Sequence, residues 1–124
     1  MRIYIDMDGV ISDFEKAAKT TKPPGYESDP DFDVFIATTP PWDRPEVWGH
    51  KREWIEDYFP YLKQKMILTH RKDLLIGDIL IDDSNYRGQP DFQGNWFWFN
   101  KKWSNKNWEA CLKWIYKKVA NEKI

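Results

Sequence analysis

The chain predicts an α/β fold, a Rossmann-like doubly wound parallel sheet of about five strands flanked by helices, and three observations carry that prediction. Ile3-Tyr4-Ile5 and Ile79-Leu80-Ile81 are apolar runs without alternation, the pattern of strands buried on both faces. Helical segments separate the strand-like runs, as crossovers between parallel strands require. Both apolar runs end in carboxylates, Asp6-Met7-Asp8-Gly9 and Asp82-Asp83-Ser84-Asn85. In an open α/β sheet the ligand site lies beyond the carboxyl ends of the strands.

Each element follows in order. Residues 2 to 6 form the first strand, and Asp13 to Lys19 form a short helix. The stretch from Thr21 to Asp31 is rich in Pro, Gly, Asp and Ser and reads as an irregular loop. Val34-Phe35-Ile36-Ala37 is the second strand, closed by Thr38-Thr39-Pro40-Pro41. Pro45 suits a first helical turn and opens a helix that runs to about Phe59. Met66 to Thr69, Ile79 to Ile81 and Asn95 to Phe99 supply the remaining strands. A last helix runs from an N-cap near Ser104 to about Ala120. Its Trp108, Cys111, Leu112, Ile115 and Val119 make one apolar stripe, which leaves Trp114 on the opposite, exposed face.

Bulk properties narrow the classes of function. The 124 residues suit one domain. With 19 basic and 20 acidic residues the net charge is −1, which gives no field to hold nucleic acid or an anionic membrane. The single Cys111 forms no internal disulfide, no run is long enough to span a bilayer, and strand sequence begins at Arg2. A cytoplasmic protein is expected, with no membrane partner and no stable nucleic-acid complex. Aromatic residues reach 17%, with 8 Trp, and most are expected to pack the core of a small domain.

The acidic strand ends carry the chemistry. Side by side, each close pair of carboxylates repels by about 4 kcal/mol at an effective dielectric near 20. Such a cluster is tolerable around a divalent cation, and hard oxygen ligands suit Mg²⁺. Either segment alone is also an ordinary turn; both after buried strands make a stronger pattern. Asp6 is the candidate nucleophile toward phosphorus, and Asp8 the acid and base. Gly9 would let backbone approach the metal or phosphate. Of the adjacent Asp82 and Asp83, one would bind the metal and the other orient it.

Three further residues belong to the same edge. On the helix from Pro45, Lys51 lies within the apolar arc of Val47, Trp48, Trp54, Ile55 and Tyr58. It either snorkels to water or aims its ammonium at the anion site. Thr38 offers a hydroxyl to a phosphate or merely ends its strand. Lys72, with His70 and Arg71, is either a solvated basic cluster or a clamp for a second anionic group. The Trp96 to Trp98 strand is read as an outer strand packed beneath the last helix, in preference to a base-stacking surface.

The series Asp6-Met7-Asp8-Gly9-Val10, Asp13-Phe14-Glu15, Thr38-Thr39-Pro40, Lys51 with Trp54, Ile67-Leu68-Thr69 with Lys72, and Gly77 to Asp83 resembles the 5′(3′)-deoxyribonucleotidase family of the haloacid dehalogenase-like superfamily. The resemblance implies a Mg²⁺-dependent phosphomonoesterase that forms an aspartyl phosphate on Asp6, with Asp8 as acid and base. It implies that Asp6, the backbone carbonyl of Asp8, and Asp83 hold the metal, with Asp82 beside them. Thr38 and Lys51 would bind the transferred phosphoryl group and Lys72 the substrate phosphate, the substrate being a nucleotide. Family members carry a helical cap between the first motif and the threonine motif. Only about thirty residues separate them here, too few for a helical bundle, so the cap is absent or minimal. His70 also stands where the family tends to show arginine. An open site leaves two other readings: a phosphatase for a larger ester, such as a polynucleotide end or phosphoprotein, and a non-catalytic binding module. A homodimer in which a neighbouring subunit supplies the missing cap stays open.

Overall fold

The computed structural model describes residues 1–7, 33–99 and 104–122, with the side chains of the last segment described over 109–118. Asp8, Gly9, the helix expected at 13–19, Trp108 and Val119 therefore lie outside the described residues or side chains.

Five strands form one all-parallel sheet: β1 (Arg2–Ile5), β2 (Asp33–Thr38), β3 (Met66–Leu68), β4 (Ile79–Asp82) and β5 (Asn95–Trp98), in the order β3-β2-β1-β4-β5. Asp6 thus follows the central strand and Asp82 closes its neighbour β4. β1 and β4 bury the apolar runs that predicted them; Ile5, Ile79, Leu80 and Ile81 are fully buried. Two long helices are described, α1 (Pro45–Tyr58) and α2 (Ser104–Glu122).

Alternation along the strands sorts the core into two layers. Ile3, Ile5, Ile36, Ile79 and Ile81 face Ile55 and Phe59 at the end of α1 and Cys111, Leu112 and Ile115 of α2. Tyr4, Ala37 and Leu80 face Leu75 and Phe92 on the other side. Among the described residues both helices cover the first face, whereas short 3-10 turns at Lys72–Leu74 and Gln89–Asp91 lead into the residues that cover the second. Those turns, with a third at Pro60–Leu62, fall in segments where the sequence shows no helical period.

Two expected orientations are corrected. Trp114 is half-buried, because Phe97 of β5 reaches it with ring centroids 5.7 Å apart, and Lys118 stands over its ring. Tyr58, the last residue of α1, is exposed, its ring against that of Trp54 with centroids 5.2 Å apart. Only Phe97 and Phe99 turn toward α2's layer; Trp96 and Trp98 stack on each other on the opposite face, centroids 5.0 Å apart.

Candidate functional site

The parallel register of Ile5 with Ile81 makes Asp6 and Asp82 neighbours across the sheet edge. The Asp6 backbone N–H donates to the Ile81 carbonyl at 2.9 Å and locks that alignment. Asp6 continues the parity of Tyr4, and Asp82 that of Leu80, so both carboxylates leave the sheet on the face covered by short turns. Lys72 lies in the first of those turns, and its backbone N–H donates to the Arg87 carbonyl at 2.8 Å. Its ammonium consequently enters between the acids. Lys72 Nζ donates to Asp6 Oδ1 at 3.1 Å and also to Asp82 Oδ2, with all three residues buried. Asp82 is further held by the Ser84 backbone N–H, which donates to Oδ1 at 3.0 Å.

Carboxylate oxygens of Asp6, Asp82 and Asp83 lie within 4.8 Å of one another. The Lys72 ammonium pairs with two of these acids, Asp6 and Asp82, in a poorly solvated place. Burial is the main reason the Asp6 carboxyl is pushed up from 3.8 to about 7; Lys72 opposes the shift, while Asp82 and a hydrogen bond with Asp83 add to it. This donor set is all oxygen and spaced for one small hard cation. The residues therefore fit a divalent metal such as Mg²⁺.

A polar cavity of about 160 Å³ opens at the cluster. Asp6, Lys72, Asp82 and Asp83 form its floor, Thr39 one wall, and Ser84, Tyr86, Arg87 and Gln89 the other. Thr39 stands where the strand-exit rule puts it, whereas Tyr86, Arg87 and Gln89 have no local sequence signal for this position, since the fold of a loop brings them there. The Arg87 guanidinium lies 4.6 Å from the centre of the exposed Tyr86 ring. Gln89 is buried, and its Oε1 accepts from the Arg87 backbone N–H at 2.7 Å.

Thr38 and Lys51 belong to the helix-covered side of the same edge. Thr38 is fully buried, and its Oγ1 has no hydrogen-bond partner among the described residues. A buried hydroxyl left so costs about 1–3 kcal/mol, which an oxyanion at the edge would recover. Lys51 is buried beside Ile55 on α1 and does not line the cavity. The residue that enters the acidic cluster is Lys72, 1% exposed and far from a solvated basic cluster. The acidic cluster is also braced from behind. The indole N–H groups of Trp96 and Trp98 donate to the backbone carbonyls of Asp82 and Asp83, at 3.3 and 3.1 Å.

Gly88 makes the loop wall possible. It adopts φ +91°, and a Cβ there would stand 2.7 Å from the Asp73 backbone nitrogen, against the turn that carries Lys72. Gly88→Ala is expected to lower stability by about 1–3 kcal/mol, through strain and a backbone clash. An unchanged urea midpoint would contradict this account of the wall.

Comparison with known proteins gives a consistent picture. The family model described as "5' nucleotidase, deoxy (Pyrimidine), cytosolic type C protein" matches residues 31–114. A Vibrio phage KVP40 protein named as a 5′(3′)-deoxyribonucleotidase is 31% identical over 121 residues, covering 74% of this chain and 71% of its own. The Homo sapiens "5'(3')-deoxyribonucleotidase, cytosolic type" is 26% identical over 150 residues, covering 73% and 75% respectively. A Staphylococcus epidermidis protein also named as a 5′(3′)-deoxyribonucleotidase is 39% identical over 54 residues, 43% of this chain and 30% of its own.

Proposed function

The chain belongs to the 5′ nucleotidase, deoxy (pyrimidine), cytosolic type C family, and from that premise we propose that it is a Mg²⁺-dependent 5′(3′)-deoxyribonucleotidase working through a phosphoenzyme. As a member it is a phosphoric monoester hydrolase. The observation that carries the finer reading is the convergence of Asp6, Asp82 and Asp83 around one buried ammonium at the carboxyl edge of the sheet.

In the proposed reaction an Asp6 carboxylate oxygen attacks phosphorus in line with the bond to the nucleoside oxygen. That bond breaks, an aspartyl phosphate forms, and Asp8 gives its proton to the departing oxygen. Asp8, now a carboxylate, takes a proton from water, whose oxygen attacks the same phosphorus. Inorganic phosphate leaves and Asp6 is restored. Lys72 holds the Asp6 carboxylate in one rotamer through both steps. The unpartnered Thr38 hydroxyl would donate to a phosphoryl oxygen, and Lys51 would add positive charge from the helix side. Held by Asp6 and Asp83, with Asp82 beside them, Mg²⁺ would favour ionised Asp6 and offset charge on the phosphoryl oxygens.

A panel of deoxy- and ribonucleoside monophosphates, 5′ and 3′, tests the reading. Deoxynucleotides should be hydrolysed in Mg²⁺, EDTA should stop the reaction, and added Mg²⁺ should restore it. Undiminished rates in EDTA would refute the metal assignment. Faster turnover of 5′-phosphorylated oligonucleotides than of mononucleotides would replace the substrate assignment.

A further inference from the structure

A nucleotidase must hold a base as well as a phosphate, and an aromatic cluster stands on the same sheet edge. β2 leaves the sheet through Thr39, which lines the cavity, then Pro40, Pro41 and Trp42. β3 leaves through Thr69 and His70. The two exits are tied: Thr69 N–H donates to the Thr38 carbonyl at 2.9 Å, and Thr39 Oγ1 donates to the Thr69 carbonyl at 2.7 Å. Trp48, in the first turns of α1, closes the group by donating its indole N–H to the Pro41 carbonyl at 2.9 Å.

Three rings result. Trp42 stands 5.6 Å from His70 and 6.3 Å from Trp48, inclined 81° and 70° to them; Trp48 and His70 lie 5.6 Å apart. Neither neighbour lies parallel on Trp42, which is 80% exposed although it is an indole fixed at a strand exit. Exposing so large an apolar ring forgoes a sizeable burial energy, which a packing role does not explain. Proline at two of the three positions after Thr39 restricts the strap, and three residues reach at most about 10 Å. Trp42 is thereby tethered by a short, stiff strap to Thr39, which lines the cavity.

We propose that Trp42, backed by Trp48 and His70, is the platform on which the nucleobase of the substrate stacks. The inference rests on the nucleotidase reading. Stacking on an aromatic ring tolerates every base, so the platform predicts broad base acceptance.

The test compares a deoxynucleoside 5′-monophosphate with deoxyribose 5-phosphate, which has the same ester and no base. Wild-type protein should show the higher kcat/KM on the nucleotide. Trp42→Ala should erase about tenfold of that preference, mostly through KM, and Trp42→Phe should keep most of it. An equal loss on both esters would mark a structural role and overturn the proposal, as would an unchanged preference. Wild-type protein that hydrolyses both esters equally well would overturn the platform and leave the phosphatase standing. Wild-type protein inert on both would overturn the phosphatase reading and the platform together.

Discussion

Asp6→Asn is expected to abolish turnover of p-nitrophenyl phosphate, with kcat falling on the order of 10⁴-fold or more, as for removal of a covalent nucleophile. The amide has nearly the shape of the acid and cannot form the phosphoenzyme. It should also be benign to the fold. Burial already pushes the Asp6 carboxyl up to about 7, so the site disfavours the very charge that the substitution removes. Chelated Asp6→Asn protein should therefore unfold at the same or a higher urea concentration than wild type at pH 8. Retained turnover in a folded variant would end the assignment of Asp6 as nucleophile. Lost turnover together with lost stability would end the electrostatic account of its surroundings.

Much of this arrangement is legible in the chain because it depends on short segments and one rule of topology. Ile3-Tyr4-Ile5 and Ile79-Leu80-Ile81 declare buried strands, and parallel neighbours bring their trailing acids together without any further information. Lys51 is likewise legible, since helical spacing alone puts it beside Ile55 on the inner face of α1. What escapes are positions decided by packing between segments distant in sequence. Lys72, with His70 and Arg71, reads either as a solvated cluster or as a clamp for an anionic group, and neither reading puts its ammonium between Asp6 and Asp82. It is buried because its turn folds over the face on which Asp6 and Asp82 both emerge. Trp96 and Trp98 could have been separated from Phe97 by strand alternation, but their bonds to the carbonyls of Asp82 and Asp83 depend on the β4–β5 register. The Trp42, Trp48 and His70 group draws one ring from each of three exits or helices, so no local pattern announces it. Trp114 shows the same limit in the opposite direction: a helical wheel puts it outside, and an edge strand covers it anyway.

The second large effect concerns Lys72. Removing one partner from a buried ion pair leaves uncompensated charge and costs about 3–5 kcal/mol. Lys72→Met, which keeps the apolar stem, should show that loss at pH 8 in chelator, and the loss should shrink as the pH falls. The sign follows from Asp6, whose folded value of about 7 lies above its ordinary 3.8. Between those values the folded protein holds a proton that the unfolded chain has released. Wild-type stability in chelator should therefore fall as the pH rises from about 4 to about 7, by up to about 4 kcal/mol. Lys72 is what limits the rise, so its removal drives Asp6 higher and extends the destabilised window upward. Below that window the carboxyl is neutral and needs the ammonium less. A cation that binds only the folded cluster opposes the loss by about 2.7 kcal/mol at one hundred times its dissociation constant, and only where the acids are ionised. Urea midpoints at pH 5 and pH 8, in EDTA and in excess Mg²⁺, separate these contributions for wild type and variant. A Lys72→Met deficit equal at both pH values would show that the lysine serves packing alone. A Mg²⁺ stabilisation as large at pH 5 as at pH 8 would show that the cation binds elsewhere.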